Sequence, residues 1–337
     1  MLYTNIFLYD RLHYIVMNQE TLEGYLLEQK PDLQEVFRKF LLSFPPTLYY
    51  THTINHIVSS NGNSFAKLLS KDRNKFKEVD KIKELRKISQ FLEIMIPIPL
   101  DDKKSINGYS ITETQHVKQS YYKSSDLNYS IFRDLFAQNP HKNSLTIEKN
   151  KKFLFSLAMF HMLSQDFDFE CSSDMPNQFL DVNTLRKLGI GIFNESFYQK
   201  YEYLREKSDS DVLLFPSQII HGDLRPEHRL EHRLLCQFID FELAHRGSLY
   251  HEFSRFEFPL EEIENSLEFY RDSYNYLAKN FHFNKKQISE FPPGSDILIA
   301  EGNLLNAAKL CVLNKQRNSP QTQYYRDLTL SYANDLF

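Results

Sequence analysis

Residues 219–228 read Ile-Ile-His-Gly-Asp-Leu-Arg-Pro-Glu-His, and after a short polar interval residues 236–241 read Cys-Gln-Phe-Ile-Asp-Phe. Both stretches contain apolar runs in which β-branched and aromatic residues dominate and which polar turns bound. Such runs predict short buried strands before His221 and before Asp240. Each predicted strand therefore places an aspartate, Asp223 or Asp240, just beyond its end.

These two aspartates suit two different tasks in phosphoryl transfer. One carboxylate must orient the attacking hydroxyl, and separate hard ligands must hold Mg²⁺ against the nucleotide phosphates. We assign the first task to Asp223 and the second to Asp240. Taken singly, His-Gly-Asp is also a common turn, and the second block is also a core strand ending in a solvated acid. The order of the blocks, their separation and the flanking strands favour the catalytic interpretation.

These residues resemble the aminoglycoside phosphotransferases and their relatives, whose catalytic loop reads His-Gly-Asp-Leu before a metal-binding Asn or His and a later Ile-Asp-Phe segment. The match covers His221–Leu224, His228 and Asp240. The resemblance implies that Asp223 is the catalytic base and that His228 and Asp240 hold Mg²⁺. A neutral imidazole is a weaker Mg²⁺ ligand than oxygen.

The same resemblance implies an α+β, bilobal, protein-kinase-like fold. A small β-rich lobe with leading helices, residues 1–117, would bind ATP or GTP. A larger helical lobe, residues 118–337, would carry the catalytic loop and an acceptor pocket. Helical spacing of apolar residues between Thr21 and Leu41 predicts the leading helices.

The nucleotide side is predicted from a hairpin. Leu48–Val58 and Ser64–Ser70 read as strands joined across Asn61-Gly62-Asn63. The resemblance then implies that Lys67 contacts the nucleotide phosphates and that Asn55 occupies a position common in the first strand. An exposed strand lysine is the alternative for Lys67. The glycines usual before Asn55 are absent, so close backbone approach to phosphate is not expected.

A helix is expected next, because apolar residues recur at helical spacing from Phe76 to Phe91. Glu84 lies off the apolar face and is our candidate for the carboxylate that pairs with Lys67. Glu78 is the second choice, and a solvated surface acid is the alternative for both.

The chain departs from the family pattern after Asp240. Gly247 keeps its place and Glu252 can stand for the last acid, but the residues at 248 and 249 are Ser and Leu where Asp and Pro are usual. Since the missing acid normally braces the catalytic loop, we expect Asp223 to be held less rigidly. Arg225 is our candidate for neutralising the transferring phosphate, with an exposed salt bridge as the alternative.

Composition excludes several classes. The 337 residues carry a net charge of −4, and basic residues are scattered, which argues against nucleic-acid binding. The three cysteines are widely spaced, which indicates neither a disulfide framework nor a zinc knuckle. A zinc site is conceivable but disfavoured without helix-spaced ligands; its candidates are His228, His232, His245 and His251. Asp10 and Arg11 interrupt the apolar start, so we expect neither a targeting segment nor a membrane span. We therefore expect a cytoplasmic protein.

The leading hypothesis is an Mg²⁺-dependent phosphotransferase that moves the γ-phosphoryl group of ATP or GTP to a hydroxyl of a small molecule, as monomer or dimer. A catalytically weak or inactive kinase-like binding protein is the second, and a helical interaction protein without nucleotide is the third. Acidic side chains of the second lobe could receive a polycationic aminoglycoside; these are Asp166, Asp168, Glu170 and Asp174.

Overall fold

The computed structural model describes residues 15–17, 34–36, 38–39, 48–53, 56–60, 64–69, 77–106, 109–115, 149–170, 178–225, 228–231, 235–280, 285–316 and 321–337. The chain forms two compact units. The first contains residues 1–130, 170–174 and 237–242, and the second contains residues 131–169, 175–236 and 243–337. The predicted boundary between residues 117 and 118 lies outside the described residues. The Asp240 segment belongs to the first unit, whereas the predicted division placed it in the second.

The first unit is built on an antiparallel sheet with the strand order β1-β2-β3-β4-β6-β5. Its strands are β1 (Ile15–Met17), β2 (Leu48–Thr53), β3 (His56–Ser60), β4 (Ser64–Leu69), β5 (Pro99–Ile106) and β6 (Tyr109–Gln115). The register that pairs Ser60 with Phe65 confirms the hairpin across residues 61–63. The predicted single strand over 48–58 is instead two strands that pair with each other, Thr53 opposite His56. The sequence interpretation missed β1 and β5.

The helix predicted after this hairpin is two helices, α1 (Glu78–Ile88) and α2 (Gln90–Met95). The break lies at Ser89, whose backbone is extended and whose hydroxyl accepts a hydrogen bond from the Phe91 amide at 3.2 Å. Serine favours this N-cap arrangement over a helix interior, because its side chain satisfies an amide that has no partner within the helix. Ile82 and Leu85 are fully buried, as the apolar spacing predicts.

The second unit is mainly helical. Its helices are α3 (Lys149–Leu163), α4 (Val182–Leu188), α5 (Glu195–Asp211), α6 (Leu249–Phe253), α7 (Leu260–Asn280), α8 (Ser295–Gln316) and α9 (Gln321–Leu336). The remaining strands are β7 (Ser217–Ile220), β8 (Arg229–Glu231), β9 (Cys236–Phe238) and β10 (His245–Ser248), and β7 pairs antiparallel with β10. The architecture is therefore α+β, and the strands predicted before His221 and Asp240 are present. Among the described helices, none is both long enough and apolar enough to cross a membrane.

Helix α8 differs from the amphipathic helix that its sequence predicted. Buried residues occur on all its sides, including the polar Asn303 and Asn306. A helix is buried all round when neighbouring helices cover every face. At Gly302 an added Cβ would lie 2.1 Å from the Ser254 hydroxyl oxygen, so a glycine permits the close approach of the segment after α6. This packing brings side chains of α8 towards the catalytic loop.

Ser156 of α3 joins helix and strand within the second unit. Its hydroxyl donates to the Lys152 carbonyl at 2.8 Å and accepts from the amide of Cys236, also at 2.8 Å. Both residues are fully buried, so this hydroxyl satisfies an amide that water does not reach.

We predict that Ser156→Ala lowers the free energy of unfolding by about 1–3 kcal/mol, because it leaves the buried Cys236 amide without an acceptor. Urea unfolding of this variant and of Ser210→Ala, whose hydroxyl bonds only locally on exposed α5, measures the difference. Equal stability of the two variants would contradict this role of Ser156.

Candidate active site

The His-Gly-Asp turn follows directly from β7 and requires glycine at its centre. Gly222 has a φ of 76°, and an added Cβ would lie 2.4 Å from the carbonyl oxygen of Leu243. Only glycine adopts this backbone conformation without strain and also leaves room for the carbonyl group of Leu243. The turn therefore carries Asp223 away from the strand in a defined direction.

Glu252 braces this turn. Its Oε1 accepts from the amide of His221 and its Oε2 from the amide of Gly222, both at 3.0 Å. The side chain of Glu252 is fully buried. Burial raises the pKa of Glu252, but the neighbouring imidazoles and the Gly222 amide hold it below the ordinary value for a glutamate. The expectation of a loosely held loop is therefore wrong: Glu252 supplies the brace that Ser248 was expected to lack.

His161 and Tyr270 in turn hold Glu252. His161 Nε2 lies 3.7 Å from Glu252 Oε1, and its Nδ1 forms a 2.7 Å hydrogen bond with the hydroxyl of Tyr270. All three side chains are fully buried, on α3, α7 and α6. The brace is thus built into the core of the second unit.

Asp223 projects from the braced turn into two arginines. Arg225 donates to Oδ2 at 3.1 Å, and Arg255 donates to Oδ1 at 2.6 Å. The exposed fraction is 15% for the Asp223 side chain and only 4% for that of Arg255. Arg225 therefore forms a largely buried ion pair with the predicted catalytic residue, and not the exposed salt bridge of the alternative interpretation.

Arg229 fixes the rest of the loop. Its guanidinium group donates to the carbonyl of Leu224 at 3.0 and 2.6 Å and to the carbonyl of Arg255 at 3.3 Å. The same group stacks 3.9 Å from the centre of the Phe153 ring. A cation over an aromatic face in a partly buried site is attracted by the ring quadrupole. Arg229 therefore ties the catalytic loop to α3 and to the segment that carries Arg255.

His228 folds back onto Asp223. Its Nδ1 forms a 2.5 Å hydrogen bond with the Asp223 main-chain carbonyl oxygen. A carbonyl oxygen can only accept, so Nδ1 carries the proton, and in a neutral ring the lone pair lies on Nε2. The structure thus brings together three of the predicted residues, Asp223, Arg225 and His228.

Asp240, the second predicted metal ligand, lies in the first unit just after β9. Its backbone φ is 69°, a left-handed conformation that a non-glycine residue adopts at some cost. The buried Lys81 of α1 donates to the carbonyl of Glu242 at 2.8 Å, and Gln237 donates to the carbonyl of Ile94 at 2.6 Å. These two bonds flank Asp240 and hold its segment against α1 and α2.

The structure describes only some of the residues that were predicted to bind the nucleotide. Lys67 lies on β4, opposite Val58 of β3 and Thr112 of β6. Glu84 of α1 accepts a hydrogen bond from the amide of Glu170 at 2.8 Å, and Glu78 is buried in the first turn of the same helix. Asn55 lies outside the described residues. The pairing of Lys67 with Glu84 stays a prediction.

Of the two predicted metal ligands, Asp240 suits Mg²⁺ better than His228 does. Mg²⁺ in phosphoryl-transfer sites takes one or two carboxylates together with substrate phosphates, which suits Asp240. His228 offers Nε2, a nitrogen, where oxygen is preferred. Within the described ranges no group of three or more His, Cys, Asp or Glu side chains is arranged to hold a metal ion. Of the zinc candidates, His232 lies outside those ranges.

Several residues of this site were not found from the sequence. Arg255 lies beyond the end of α6, Lys309 lies on α8, and Gln178 accepts from Arg255 at 3.2 Å and from Lys309, through its carbonyl, at 2.7 Å. None of them belongs to a recognisable motif. Glu252 was found as a possible stand-in for the last acid, but its bonds to the turn follow only from the packing of α6.

Comparisons with known proteins give matches in structure. No protein-family model and no curated protein matches the chain. The GDP and kanamycin complex of APH(2")-IIia has a TM-score of 0.57 at 13% identity, covering 89% of this chain and 99% of that one. The GDP complex of aminoglycoside 2'-phosphotransferase-IIIa has a TM-score of 0.53 at 14% identity, covering 91% and 100%. A choline/ethanolamine kinase family protein from Mesorhizobium loti has a TM-score of 0.54 at 12% identity, covering 90% and 94%.

Identities this low show the fold alone. The chain has the fold of these phosphotransferase and kinase structures, which confirms the resemblance that residues 221–224 first indicated.

We predict that Glu252→Gln lowers the free energy of unfolding by about 1–3 kcal/mol near neutral pH, because an NH₂ group would face a backbone N–H of the turn. The control is Glu264→Gln, an exposed glutamate on α7. Urea unfolding from pH 7 to acid gives a second readout. The folded-state pKa of Glu252 is lowered from its ordinary 4.5, so its charge stabilises the fold above that value. The difference from wild type should therefore shrink as pH falls below 4.5; a difference that is constant with pH would contradict the charged brace.

Proposed function

We propose that this chain is an Mg²⁺-dependent phosphotransferase that moves the γ-phosphoryl group of ATP or GTP to a hydroxyl of a small molecule. The observation that carries the proposal is the braced turn, in a fold shared with phosphotransferases. Glu252 accepts hydrogen bonds from the amides of His221 and Gly222, the two residues before Asp223. These bonds fix the direction in which the Asp223 carboxylate points. Orientation of the nucleophile by a fixed carboxylate is what phosphoryl transfer requires of the protein.

The remaining roles follow from the chemistry of the residues. Asp223 would orient the acceptor hydroxyl, and Arg225, 3.1 Å from Asp223 Oδ2, would neutralise charge on the transferring group. Lys67 on β4, with Glu84, would position the nucleotide phosphates. GDP in the complexes of structural neighbours supports a nucleotide co-substrate.

Asp240 and His228 are the residues that would hold Mg²⁺. When bound, the ion supplies charge neutralisation between the phosphates of the nucleotide. Asp240 brings the carboxylate that the ion prefers, held in a strained conformation. His228 fixes the Asp223 carbonyl through Nδ1 whether or not its Nε2 binds the metal.

The two arginines favour a second candidate function, that of a kinase-like binding protein. Both oxygens of Asp223 are already engaged, at 2.6 and 3.1 Å. An acceptor hydroxyl must therefore share an oxygen with a guanidinium group or displace it. If Asp223 can do neither, the chain is a kinase-like binding protein with weak or no catalysis.

We predict that Asp223→Asn abolishes phosphoryl transfer to within the background of the assay, because the amide no longer accepts from the acceptor hydroxyl and both arginines at once. Nucleotide consumption and acceptor phosphorylation measure this. The substitution also leaves two buried guanidinium groups without their anion, so unfolding must be measured in parallel. Asp209→Asn is the matched control, because it removes a surface ion pair with Arg205. Full turnover by Asp223→Asn would refute the catalytic role.

A nucleotide-binding measurement distinguishes the two candidate functions from the third hypothesis, an interaction protein that binds no nucleotide. We expect Mg²⁺ with ATP or GTP to raise the melting temperature in a concentration-dependent manner, as any ligand does that binds the folded state alone. Asp240→Asn should weaken the Mg²⁺-dependent part of this shift. Binding without turnover of any acceptor would favour the inactive binding protein, and no shift with either nucleotide would contradict both.

A further inference from the structure

Among the described residues, the side chains grouped with Asp223 include more cations than carboxylates. Arg225 and Arg255 donate directly to its carboxylate, at 3.1 and 2.6 Å. Lys309 of α8 is a third cation of this group, linked to Arg255 through Gln178. Three cationic side chains from three separate elements thus accompany two carboxylates, that of Asp223 and that of Glu252, which also acts on Arg255.

Lys309 is held towards this cluster from α8. Its Nζ donates to the carbonyl of Gln178 at 2.7 Å, and the Gln178 side chain accepts from Arg255 at 3.2 Å. Burial and the two arginines together lower the pKa of Lys309 to about 7, while Asp223 opposes them. The two guanidinium groups therefore repel a further positive charge here, and an anion beside them would relieve that repulsion.

Arg255 carries a buried positive charge whose hydrogen-bond donors are only partly satisfied. It is 3% exposed, donates through its two terminal nitrogens to Asp223 and Gln178, and its buried Nε meets no hydrogen-bond acceptor within the described part of the chain. Burial also lowers its pKa, although the Asp223 carboxylate raises it. A buried charge with an unmet donor is expensive unless a partner of opposite charge is present.

We propose that the acceptor is an anionic alcohol, whose carboxylate, sulfate or phosphate group binds between Arg255 and Lys309 beside the hydroxyl that Asp223 orients. This inference rests on the proposed phosphotransferase activity and names its substrate class. An anion at this position would bring the local charge towards balance and form charge-assisted hydrogen bonds, which are about twice as strong as neutral ones. It would also draw one arginine away from Asp223 and free an oxygen for the hydroxyl.

The chemical step balances without a further reactant. The acceptor oxygen forms a bond to the γ-phosphorus as the bond from that phosphorus to the bridging oxygen breaks. The hydroxyl proton passes to Asp223 and then to solvent, and the nucleoside diphosphate leaves with the bonding electron pair. The anionic group of the acceptor takes no part in bond making and serves to position the hydroxyl.

The acidic residues that could receive a polycation do not form an opposing site among the described residues. Asp166 is paired with Lys285 at 2.8 Å, and Asp168 accepts from the amide of Phe169. Glu170 belongs to the first unit, and Asp174 lies outside the described residues. The charge near Asp223 therefore favours the opposite class of acceptor from the aminoglycosides.

Turnover of matched acceptors tests the proposal. D-glucuronate, D-glucose and D-glucosamine share a ring but carry a negative, zero or positive charge, and glycerate with glycerol forms a second set. We expect the wild-type kcat/KM to be at least about tenfold higher for the anionic member of a set, as the loss of one charge-assisted bond implies. A preference for D-glucosamine, or no preference by charge, would overturn the proposal while leaving the phosphotransferase activity intact.

Lys309→Met removes one cation of the cluster at similar volume. We expect it to raise KM for the anionic acceptor about tenfold or more, with a smaller change in kcat. Lys315→Met is the control, because Lys315 lies on the same helix and donates to the carbonyl of Ile190 instead. An unchanged KM in Lys309→Met would contradict the assignment.

A binding measurement decides the case in which no acceptor is turned over. Sodium sulfate is the probe, compared with sodium chloride at equal ionic strength and without nucleotide. We expect sulfate to raise the melting temperature of wild type and of Lys315→Met more than that of Lys309→Met. Equal shifts in all three would overturn the anion site. Sulfate binding at Lys309 without any phosphoryl transfer would instead show that the proposed function has failed and the anion site stands.

Discussion

The two hydrogen bonds from Glu252 to the amides of His221 and Gly222 are the constraint on which the site depends. They fix a turn that only glycine can make at its centre, and the turn determines where Asp223 points. The brace is itself a buried charge, which the interior tolerates because two amides and the His161 imidazole share it. A chain that lacks the expected acid at position 248 therefore keeps a rigid catalytic loop, using an acid from the helix that follows.

The charges around the loop come from residues that are separate from the brace. The brace and the β7–β10 pair hold the backbone, whereas Arg255, just beyond the helix that carries Glu252, and Lys309 of α8 bring their charges through their side chains. Their side chains can therefore change the charge beside Asp223 without altering the turn. In this chain they bring positive charge to the surroundings of Asp223, so the residue that we propose orients the hydroxyl lies among groups that attract anions.

The sequence predicted the parts of the site that are local. Alternation between buried strand and polar turn located His221, Asp223 and Asp240, and the fold similarity confirms the resemblance they indicated. It failed where distant packing decides. Ser89 breaks a helix that apolar spacing presents as continuous, because a cap hydrogen bond outweighs periodicity. Lys309, 86 positions after Asp223, is linked to Arg255 through Gln178 by the packing of the buried helix α8, and no local pattern signals that link.

The proposed function requires that Asp223 orients the acceptor hydroxyl while Asp240 binds the metal ion of the nucleotide. The most direct measurement is anomalous diffraction from crystals grown with Mn²⁺ and a non-hydrolysable ATP or GTP analogue. We expect Mn²⁺ bound by the Asp240 carboxylate beside the nucleotide phosphates, with the terminal phosphate facing Asp223. Manganese or nucleotide bound elsewhere, with Asp240 far from Asp223, would contradict it.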